Sequence, residues 1–324
     1  MAVSTGIATI EPQKNALVDV ARFIDPQRPA SWSQQMIGLL EAGHYLEAYE
    51  VLSEHVPYVE NMLRPYAEHL AGRTNSWSRV HARISDLLHD DGSAFILDVG
   101  CAVGRHAIEF GRKGHRTCGI DILAPMVEQG RELAESLGLA DRVELKTADI
   151  RRLPDVFAEN QFDAVVACDI FEHLDDAGLR ELLAGIRHVV RPGGKVVIQT
   201  SPGRFYYWFE PTRLKLLALL VPFCWLPDRL FSAYVRALER GPLRSLRDQH
   251  VRFYRQEYGH INCMDPHHLR RLLVEADLVD VRTFAEHTHP GFKDEGCLRA
   301  GWTRRLFGRK SVASRNVYGV ATVR

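Results

Sequence analysis

Five short runs rich in β-branched and apolar residues alternate with helical segments between residues 94 and 200. The runs read FILDVG, HRTCGID, RVELKTAD, FDAVVACD and GKVVIQT. Such alternation is typical of a parallel sheet that helices cover on both faces. Two further strand-like runs, VDVRTF and VYGVATV, lie near the C-terminus. The pattern therefore predicts an α/β fold with a doubly wound sheet.

An acidic residue stands at or near the end of each of the first four predicted strands. These residues are Asp98, Asp121, Asp149 and Asp169. Ligands of open parallel sheets bind beyond the carboxyl ends of the strands, at the point where the strand order reverses. A carboxylate beside apolar strands is costly unless a ligand or a donor satisfies it. We therefore expect a binding site at this edge of the sheet.

The turn after the first strand reads Gly100-Cys101-Ala102-Val103-Gly104 and precedes a helix. It does not match the G-x-G-x-x-G loop of dinucleotide-binding folds, which places a pyrophosphate at the helix N-terminus. Asp121 follows Gly104 by seventeen residues, where a carboxylate can accept the hydroxyl hydrogens of a ribose. The turn and Asp121 together predict a nucleoside-containing cofactor that is not a dinucleotide.

The segments LDVGCAVGRHA, GIDI, TADI, FDAVVACDIFEHL and RPGGKVVIQT resemble successive motifs of the class I S-adenosylmethionine-dependent methyltransferases. The resemblance is to the small-molecule branch that includes enzymes of the ubiquinone pathway. It spans about residues 94–200 and, more loosely, residues 260–278. It implies a Rossmann-like sheet of seven mostly parallel strands with the last one antiparallel, and S-adenosylmethionine as the cofactor.

The resemblance also implies roles for individual residues. Asp98 and Gly100 would lie against the methionine part of the cofactor, Asp121 would hold the ribose, and Asp149 and Ile150 would flank the adenine. The full set of predicted cofactor-binding residues is Asp98, Gly100, Cys101, Ala102, Gly104, Asp121, Ile122, Asp149, Ile150, Cys168 and Asp169.

Ala102 departs from the family pattern, which usually reads G-x-G-x-G at this turn. A methyl group is tolerated there if the residue has a negative φ. We expect a positive φ at Ala102, or a methyl group that blocks the methionine part, to count against S-adenosylmethionine.

Two histidines are candidates for a general base. His173 follows the fourth strand in FEHL, and His260 precedes the late helix in GHIN. Histidine titrates near neutrality and can take a proton from an acceptor hydroxyl. A purely structural role remains open for both. The pair His287 and His289 has no ligand partners at suitable spacing, so no metal site is predicted.

The chain divides into two predicted parts. Residues 1–90 form a helical N-terminal cap, and residues 91–324 form the Rossmann-like domain with an inserted lid at about 201–264. Aromatic residues 205–209 wall an acceptor pocket in one interpretation, and pack on the sheet or on a second subunit in the other. The basic segment 299–315 is either a solvated loop or a site for a phosphate or a carrier protein.

Charge and cysteine usage limit the partners. The 41 basic and 41 acidic side chains cancel, which disfavours nucleic acid. The six cysteines form no close pair, the N-terminus lacks a signal-peptide pattern, and the apolar stretch 214–226 is too short to span a bilayer. We therefore predict a cytoplasmic protein with no transmembrane segment, and leave a homodimer open.

The predicted function is methyl transfer to an oxygen atom of a small lipophilic or aromatic acceptor, and an acceptor joined to a carrier is left open. Two alternatives remain open. The first is an enzyme that keeps the cofactor but catalyses a non-methylating rearrangement, and the second is a binding subunit with the fold alone.

Overall fold

The structure is a computed structural model that describes residues 34–36, 38–39, 42–44, 46–48, 50–51, 58–88, 93–204, 208, 216–286, 305–307, 310 and 314–324. The strands are β1 (Phe95–Val99), β2 (Arg116–Asp121), β3 (Val143–Thr147), β4 (Phe162–Cys168), β5 (Val190–Thr200), β6 (Val279–Glu286) and β7 (Asn316–Thr322). The helices are α1 (Tyr58–Leu70), α2 (Ser76–Leu88), α3 (Arg105–Arg112), α4 (Ala124–Ser136), α5 (Leu153–Val156), α6 (Asp176–Val189), α7 (Asp228–Arg240), α8 (Arg244–Tyr258) and α9 (Pro266–Glu275).

The seven strands form one sheet in the order β3-β2-β1-β4-β5-β7-β6. β1 pairs in parallel with both β2 and β4, and β7 pairs antiparallel to both β5 and β6. The predicted sheet, including its antiparallel last strand, is confirmed. The chain order reverses between β1 and β4, so the crevice for a ligand lies above the carboxyl ends of these strands.

Side chains alternate between two buried faces of the sheet. On β1, Leu97 and Val99 pack into the core on the α6 side, whereas Ile96 packs on the other side against Ile84 and Phe110. The same alternation puts Val165 and Val166 of β4 in different clusters. Burial on both faces explains why these strands read as continuous apolar runs.

Aspartate side chains cap the helices where the sequence places them. Asp175 accepts a hydrogen bond from the backbone of Gly178 at the start of α6, over 2.8 Å. Asp265 accepts from the backbones of His267 and His268 at the start of α9, over 2.9 and 3.0 Å. These caps fix where α6 and α9 begin on the sheet.

The helices α1 and α2 pack against α3 through a cluster of aromatic rings. Tyr66 and Trp77 meet edge to face at 4.9 Å, and Trp77 stacks on His81 at 5.3 Å. His81 shares a hydrogen bond with His106 of α3 over 2.9 Å between their Nδ1 atoms. The Tyr66–Trp77 contact thus joins α1 to α2, and the His81–His106 bond joins α2 to α3.

The helices α7 and α8 lie in the segment between β5 and α9. The domain boundaries predicted at residue 90 and at 201–264 stay predictions. Most of residues 205–209, the pair His287 and His289, and much of the basic segment 299–315 fall outside the described residues. Within the described part of the chain, no helix is both long and apolar enough to cross a membrane.

Candidate functional site

A cleft opens above the carboxyl ends of β1, β2, β3 and β4. Among the residues predicted to bind the cofactor or act as a base, those that line this cleft are Gly100, Ala102, Asp121, Ile122, Asp149, Ile150, Asp169 and His173. Met62, Leu123, Met126, Arg151, Ile170 and Leu174 complete the wall. Three of the four strand-end acids, Asp121, Asp149 and Asp169, therefore converge on one cleft, as expected from a parallel sheet.

The turn after β1 is held against the end of β2. The backbone N–H groups of Gly100 and Cys101 both donate to the carbonyl of Ile120, over 2.8 and 2.9 Å. Gly100 has φ +70°, and a Cβ there would lie only 2.7 Å from a side-chain carbon of Ile170. Glycine at position 100 is thus required both for the backbone conformation and for the close approach of Ile170.

Asp121 organises this turn from the end of β2. Its Oδ2 accepts a hydrogen bond from Ala102 N–H over 2.8 Å, and its Oδ1 accepts from Leu123 N–H over 3.0 Å. Each carboxylate oxygen has a further lone pair for another donor. Burial raises the pKa of Asp121, and the backbone hydrogen bonds oppose that rise. The side chain can therefore hold the turn and accept hydroxyl groups from a ligand in the cleft.

Ala102 has φ +50°, the conformation that we expected to count against S-adenosylmethionine. An alanine in the left-handed region costs about 1 kcal/mol. The hydrogen bond from its N–H to the Asp121 carboxylate offsets this cost, because charge-assisted bonds contribute about 1.5–3 kcal/mol. The methyl group packs in a cluster with Val103, Leu123 and Met126. The expectation that a positive φ at Ala102 counts against S-adenosylmethionine was too strict, because it ignored the hydrogen bond that stabilises this conformation.

Asp98 lies outside the cleft lining, buried below the turn. Its Oδ2 accepts a hydrogen bond from Ala107 N–H in the first turn of α3, over 3.3 Å. Burial raises the pKa of Asp98 to about 7, with a further rise from the neighbouring Asp121. Asp98 is therefore a carboxyl whose charge is poorly compensated by the protein alone.

Cys101, Gly104 and Cys168 also do not line this cleft. The Cys101 side chain is buried with Tyr66 and Trp77 below the turn. Gly104 has φ +70° and faces Leu145, which leaves no room for a Cβ. The structure thus gives Cys101 and Gly104 a packing role, and direct contact with the cofactor stays a prediction for them.

Asp149 is clamped by the neighbouring Arg151. The guanidinium donates to both carboxylate oxygens, over 3.0, 3.1 and 2.6 Å, and the Arg151 backbone N–H donates over 2.9 Å. Burial raises the pKa of Asp149, but the hydrogen bonds from Arg151 outweigh burial and the net pKa is lowered. Asp149 is therefore ionised at neutral pH and fixed in orientation at the edge of the cleft.

His173 and His260 meet at one end of the cleft. Their ring centroids are 4.7 Å apart and the rings are perpendicular. Burial lowers the pKa of His173 to about 4, although Asp169 and the Gly259 backbone act in the opposite direction. Burial, then His173 and Arg315, hold the pKa of His260 well below its usual value. Both imidazoles are consequently neutral near pH 7. His260 does not line the cleft itself and lies behind His173.

Glu172 lies beside the two histidines. One ligand atom of each of Glu172, His173 and His260 falls within 4.8 Å of the others, a spacing that a cation could bridge. However, burial raises the pKa of Glu172 well above its usual value, and Thr200 Oγ1 donates to its carboxyl over 2.7 Å. Metal ligands must be deprotonated. The raised pKa disfavours the ionised carboxylate that a metal ligand needs, and the absence of a metal stays a prediction.

A second cleft of about 220 Å³ adjoins the first across Asp169. Its wall includes Trp77, Arg105, Cys168 and Ser201. Asp169 has φ +51°, is exposed, and accepts a hydrogen bond from Ser201 Oγ over 2.9 Å. Asp169 thus lies between two spaces, one above the turn and one toward α2, and Cys168 lines only the second.

Sequence reasoning missed Met62, Arg151 and Ile170. Met62 belongs to α1, far from the strand-end motifs in sequence, and Arg105 holds its carbonyl by a hydrogen bond of 3.0 Å. Arg151 and Ile170 directly follow predicted residues, so the positions adjacent to the strand-end acids were a usable signal. Met62 had no comparable signal, because only the packing of α1 brings it to the cleft.

Comparison with known proteins agrees with this geometry. Residues 96–194 match the family described as "Methyltransferase domain". The chain is similar to the methyltransferase GfsG of Streptomyces halstedii, with 35% identity over 32% of this chain and 36% of the relative. It is similar to the mitochondrial ubiquinone biosynthesis O-methyltransferase of Mus musculus, with 28% identity over 49% of this chain and 39% of the relative.

A further relative is the S-adenosyl-L-methionine-dependent Diels-Alderase iccD of Talaromyces variabilis, with 28% identity over 38% of this chain and 41% of the relative. The chain spans less than half the length of each of these three relatives. The family match confirms S-adenosylmethionine as the cofactor of the matched segment, and the glycine turn and Asp121 fit it. Residues 96–194 therefore match the methyltransferase domain family, in agreement with the motifs that this segment carries.

Proposed function

We propose that the protein transfers a methyl group from S-adenosylmethionine to an oxygen atom of a small lipophilic or aromatic acceptor. When bound, the cofactor supplies an electrophilic methyl group on its sulfonium. Asp121 would hold the ribose hydroxyls, Asp149 and Ile150 would flank the adenine, and Gly100 would lie against the methionine part. The backbone approach at Gly100 and the free lone pairs of Asp121 support this placement.

The observation that carries the oxygen acceptor is the neutral histidine pair. A hydroxyl must lose its proton as the new carbon–oxygen bond forms, and a neutral imidazole can take that proton. His173 lines the cleft, and His260 packs edge-on against it at 4.7 Å. His173 would act as the base, and His260 would fix the orientation of its ring.

The cleft beside Asp169 supports a small acceptor. It offers an aromatic surface at Trp77 and polar groups at Asp169 and Ser201, and it adjoins the cofactor cleft directly. A flat acceptor with one hydroxyl directed toward Asp169 would match this combination of surfaces. The murine relative is named as an O-methyltransferase, which supports oxygen as the acceptor atom.

Methyl-labelled S-adenosylmethionine tests the proposal. The protein is incubated with the labelled cofactor and a cell extract, and products are separated by mass spectrometry. We expect a labelled methyl ether and S-adenosylhomocysteine in equal amounts. His173→Asn should slow turnover by about 10²- to 10⁴-fold, the usual contribution of a general base, and leave affinity for S-adenosylhomocysteine unchanged.

The matched control is His267→Asn, because His267 is an exposed histidine in the first turn of α9. This variant should turn over at the wild-type rate. Wild-type turnover in both His173→Asn and His260→Asn would refute the base assignment. A label on nitrogen or carbon alone would refute the oxygen acceptor.

A cofactor-dependent rearrangement is the second candidate, and the name of the Talaromyces relative favours it. In that case the acceptor would change structure while S-adenosylmethionine is recovered intact. The labelled-cofactor experiment separates the two candidates, because only methyl transfer consumes the cofactor in proportion to product.

A further inference from the structure

A row of exposed apolar side chains lies in the segment between β5 and α9, at some of the most accessible positions for large apolar residues. Trp225 is 75% exposed, Leu230 56%, Leu219 43%, Phe223 37% and Val221 36%. We call these five residues the apolar ridge. Single exposed apolar residues are ordinary, but a contiguous group marks an interaction surface.

The apolar ridge rests on a small core of its own. Leu217, Leu220, Phe231, Val235 and Phe307 are buried beneath it. The ring of Phe223 in the ridge lies 4.4 Å from that of Tyr234, which packs against this core, so the ridge is joined to it.

Two hydrogen bonds fix the shape of the ridge. Tyr234 on α7 donates to the carbonyl of Leu219 over 3.0 Å, and Trp225 Nε1 donates to the carbonyl of Pro222 over 2.8 Å. The polar atom of the indole is thus satisfied by the local backbone, and its apolar rings face outward.

Three basic residues belong to the same region as the ridge. Arg229 is exposed between Trp225 and Leu230, and Arg305 is exposed beside Phe307, whose ring lies 6.0 Å from that of Phe231. Lys310 Nζ lies 5.4 Å from the same Phe231 ring and hydrogen-bonds to the carbonyl of Leu226. Aromatic and aliphatic side chains with basic neighbours are the pattern of proteins that bind at the surface of an anionic bilayer.

We propose that the apolar ridge docks this protein on an anionic lipid surface. Trp225, Phe223 and Leu230 would enter the boundary between headgroups and acyl chains, where tryptophan is favoured. Arg229 and Arg305 would face the lipid phosphates. The surface is independent of the reaction, so this proposal stands whether or not methyl transfer is the activity.

A second copy of the chain fits the ridge less well. A two-fold dimer brings the same patch of both subunits together, so each basic residue near the axis would face its own counterpart. Like charges at close range are unfavourable. An anionic lipid surface instead complements Arg229, Arg305 and Lys310 at once.

Vesicle sedimentation tests the proposal with the full chain. The vesicles contain either phosphatidylcholine alone or equal parts of phosphatidylcholine and phosphatidylglycerol, at low and at high salt. We expect wild-type protein to sediment with the anionic vesicles and to be released by salt. The double variant Trp225→Ala/Leu230→Ala should bind at least about tenfold more weakly, from the loss of two buried apolar side chains. Arg229→Gln should bind about fivefold more weakly.

The matched control is Val274→Ala on α9, which removes an apolar side chain that is 51% exposed at another surface. It should bind vesicles as the wild type does, and all variants should keep their affinity for S-adenosylhomocysteine. Equal sedimentation of the wild type and the double variant would overturn the proposal. It would also be overturned if no anionic vesicles are bound, or if the double variant instead abolishes a dimer seen in analytical ultracentrifugation.

Discussion

Replacement of Asp121 with asparagine should weaken cofactor binding and destabilise the fold together. The carboxylate accepts two backbone hydrogen bonds, from Ala102 over 2.8 Å and from Leu123 over 3.0 Å. Asparagine has one oxygen and one NH₂ group, so one of these two N–H groups would face a donor instead of an acceptor. The same exchange removes the charge and one of the positions available to a ribose hydroxyl.

The magnitude follows from the number of bonds that are lost. A hydrogen bond to a charged group contributes about 1.5–3 kcal/mol, so the free energy of unfolding should fall by about that amount. Loss of a similar bond to the ribose should raise the dissociation constant for S-adenosylhomocysteine by about 10- to 150-fold. Because Ala102 keeps its positive φ through the Asp121 bond, part of the affinity loss would come from a turn that is less well formed.

Titration calorimetry with S-adenosylhomocysteine and urea unfolding measure the two effects separately. The control is Asp163→Asn, since Asp163 also accepts a backbone hydrogen bond, from Phe95 over 2.7 Å, but at the opposite end of the sheet. That variant should lose stability and keep its cofactor affinity. Wild-type affinity in Asp121→Asn, measured on folded protein, would refute the assignment of Asp121 to the ribose.

The remaining predictions concern titration and metal. Because burial lowers the pKa of His173 to about 4, kcat/KM should keep its plateau down to about pH 5, below the range in which an ordinary histidine of pKa about 6.5 protonates. Burial also lowers the pKa of His106 to about 3, so below about pH 6.5 the unfolded chain binds a proton that the native state does not. The free energy of unfolding should therefore be about 2 kcal/mol lower at pH 5 than at neutral pH, and His106→Asn should reduce this dependence. Burial raises the pKa of Asp98 to about 7, so the native state holds a proton that the unfolded state loses near pH 4. The free energy of unfolding should therefore decline as the pH rises from about 4 to about 7. In urea unfolding at pH 8 without cofactor, Asp98→Asn should be more stable than the wild type by up to about 4 kcal/mol. Dialysis against EDTA should leave turnover unchanged, and a loss restored by a divalent cation would instead assign a metal to Glu172, His173 and His260.

The sheet and the position of its crevice followed from the sequence, because strand-helix alternation and strand-end acids are local patterns. Asp98, Asp121, Asp149 and Asp169 each stand where the chain leaves or nears the end of a strand, and parallel pairing brings those ends to one edge. No contact between distant segments has to be known for that inference.

The finer features depend on contacts that no local pattern encodes. The positive φ of Ala102 is stabilised by the hydrogen bond that its N–H donates to Asp121, nineteen residues away. The perpendicular contact of His173 and His260 joins residues that are far apart in the sequence. Both histidines were singled out from sequence, but only the packing of the segment before α9 shows that they meet. Burial of Asp98 below the turn likewise required the position of α3.

Three separate stretches of chain contribute to the site: Met62 from α1 and the acids from the matched domain line the cleft, and His260 from the segment after α8 packs against His173. Mutations that alter the first and third stretches can therefore change the choice of acceptor while the cofactor-binding stretch stays intact. One ancestral cofactor-binding segment can in this way serve enzymes that act on different acceptors. A chimaera of residues 96–194 with foreign flanking segments would be expected to inherit the cofactor and lose the original acceptor.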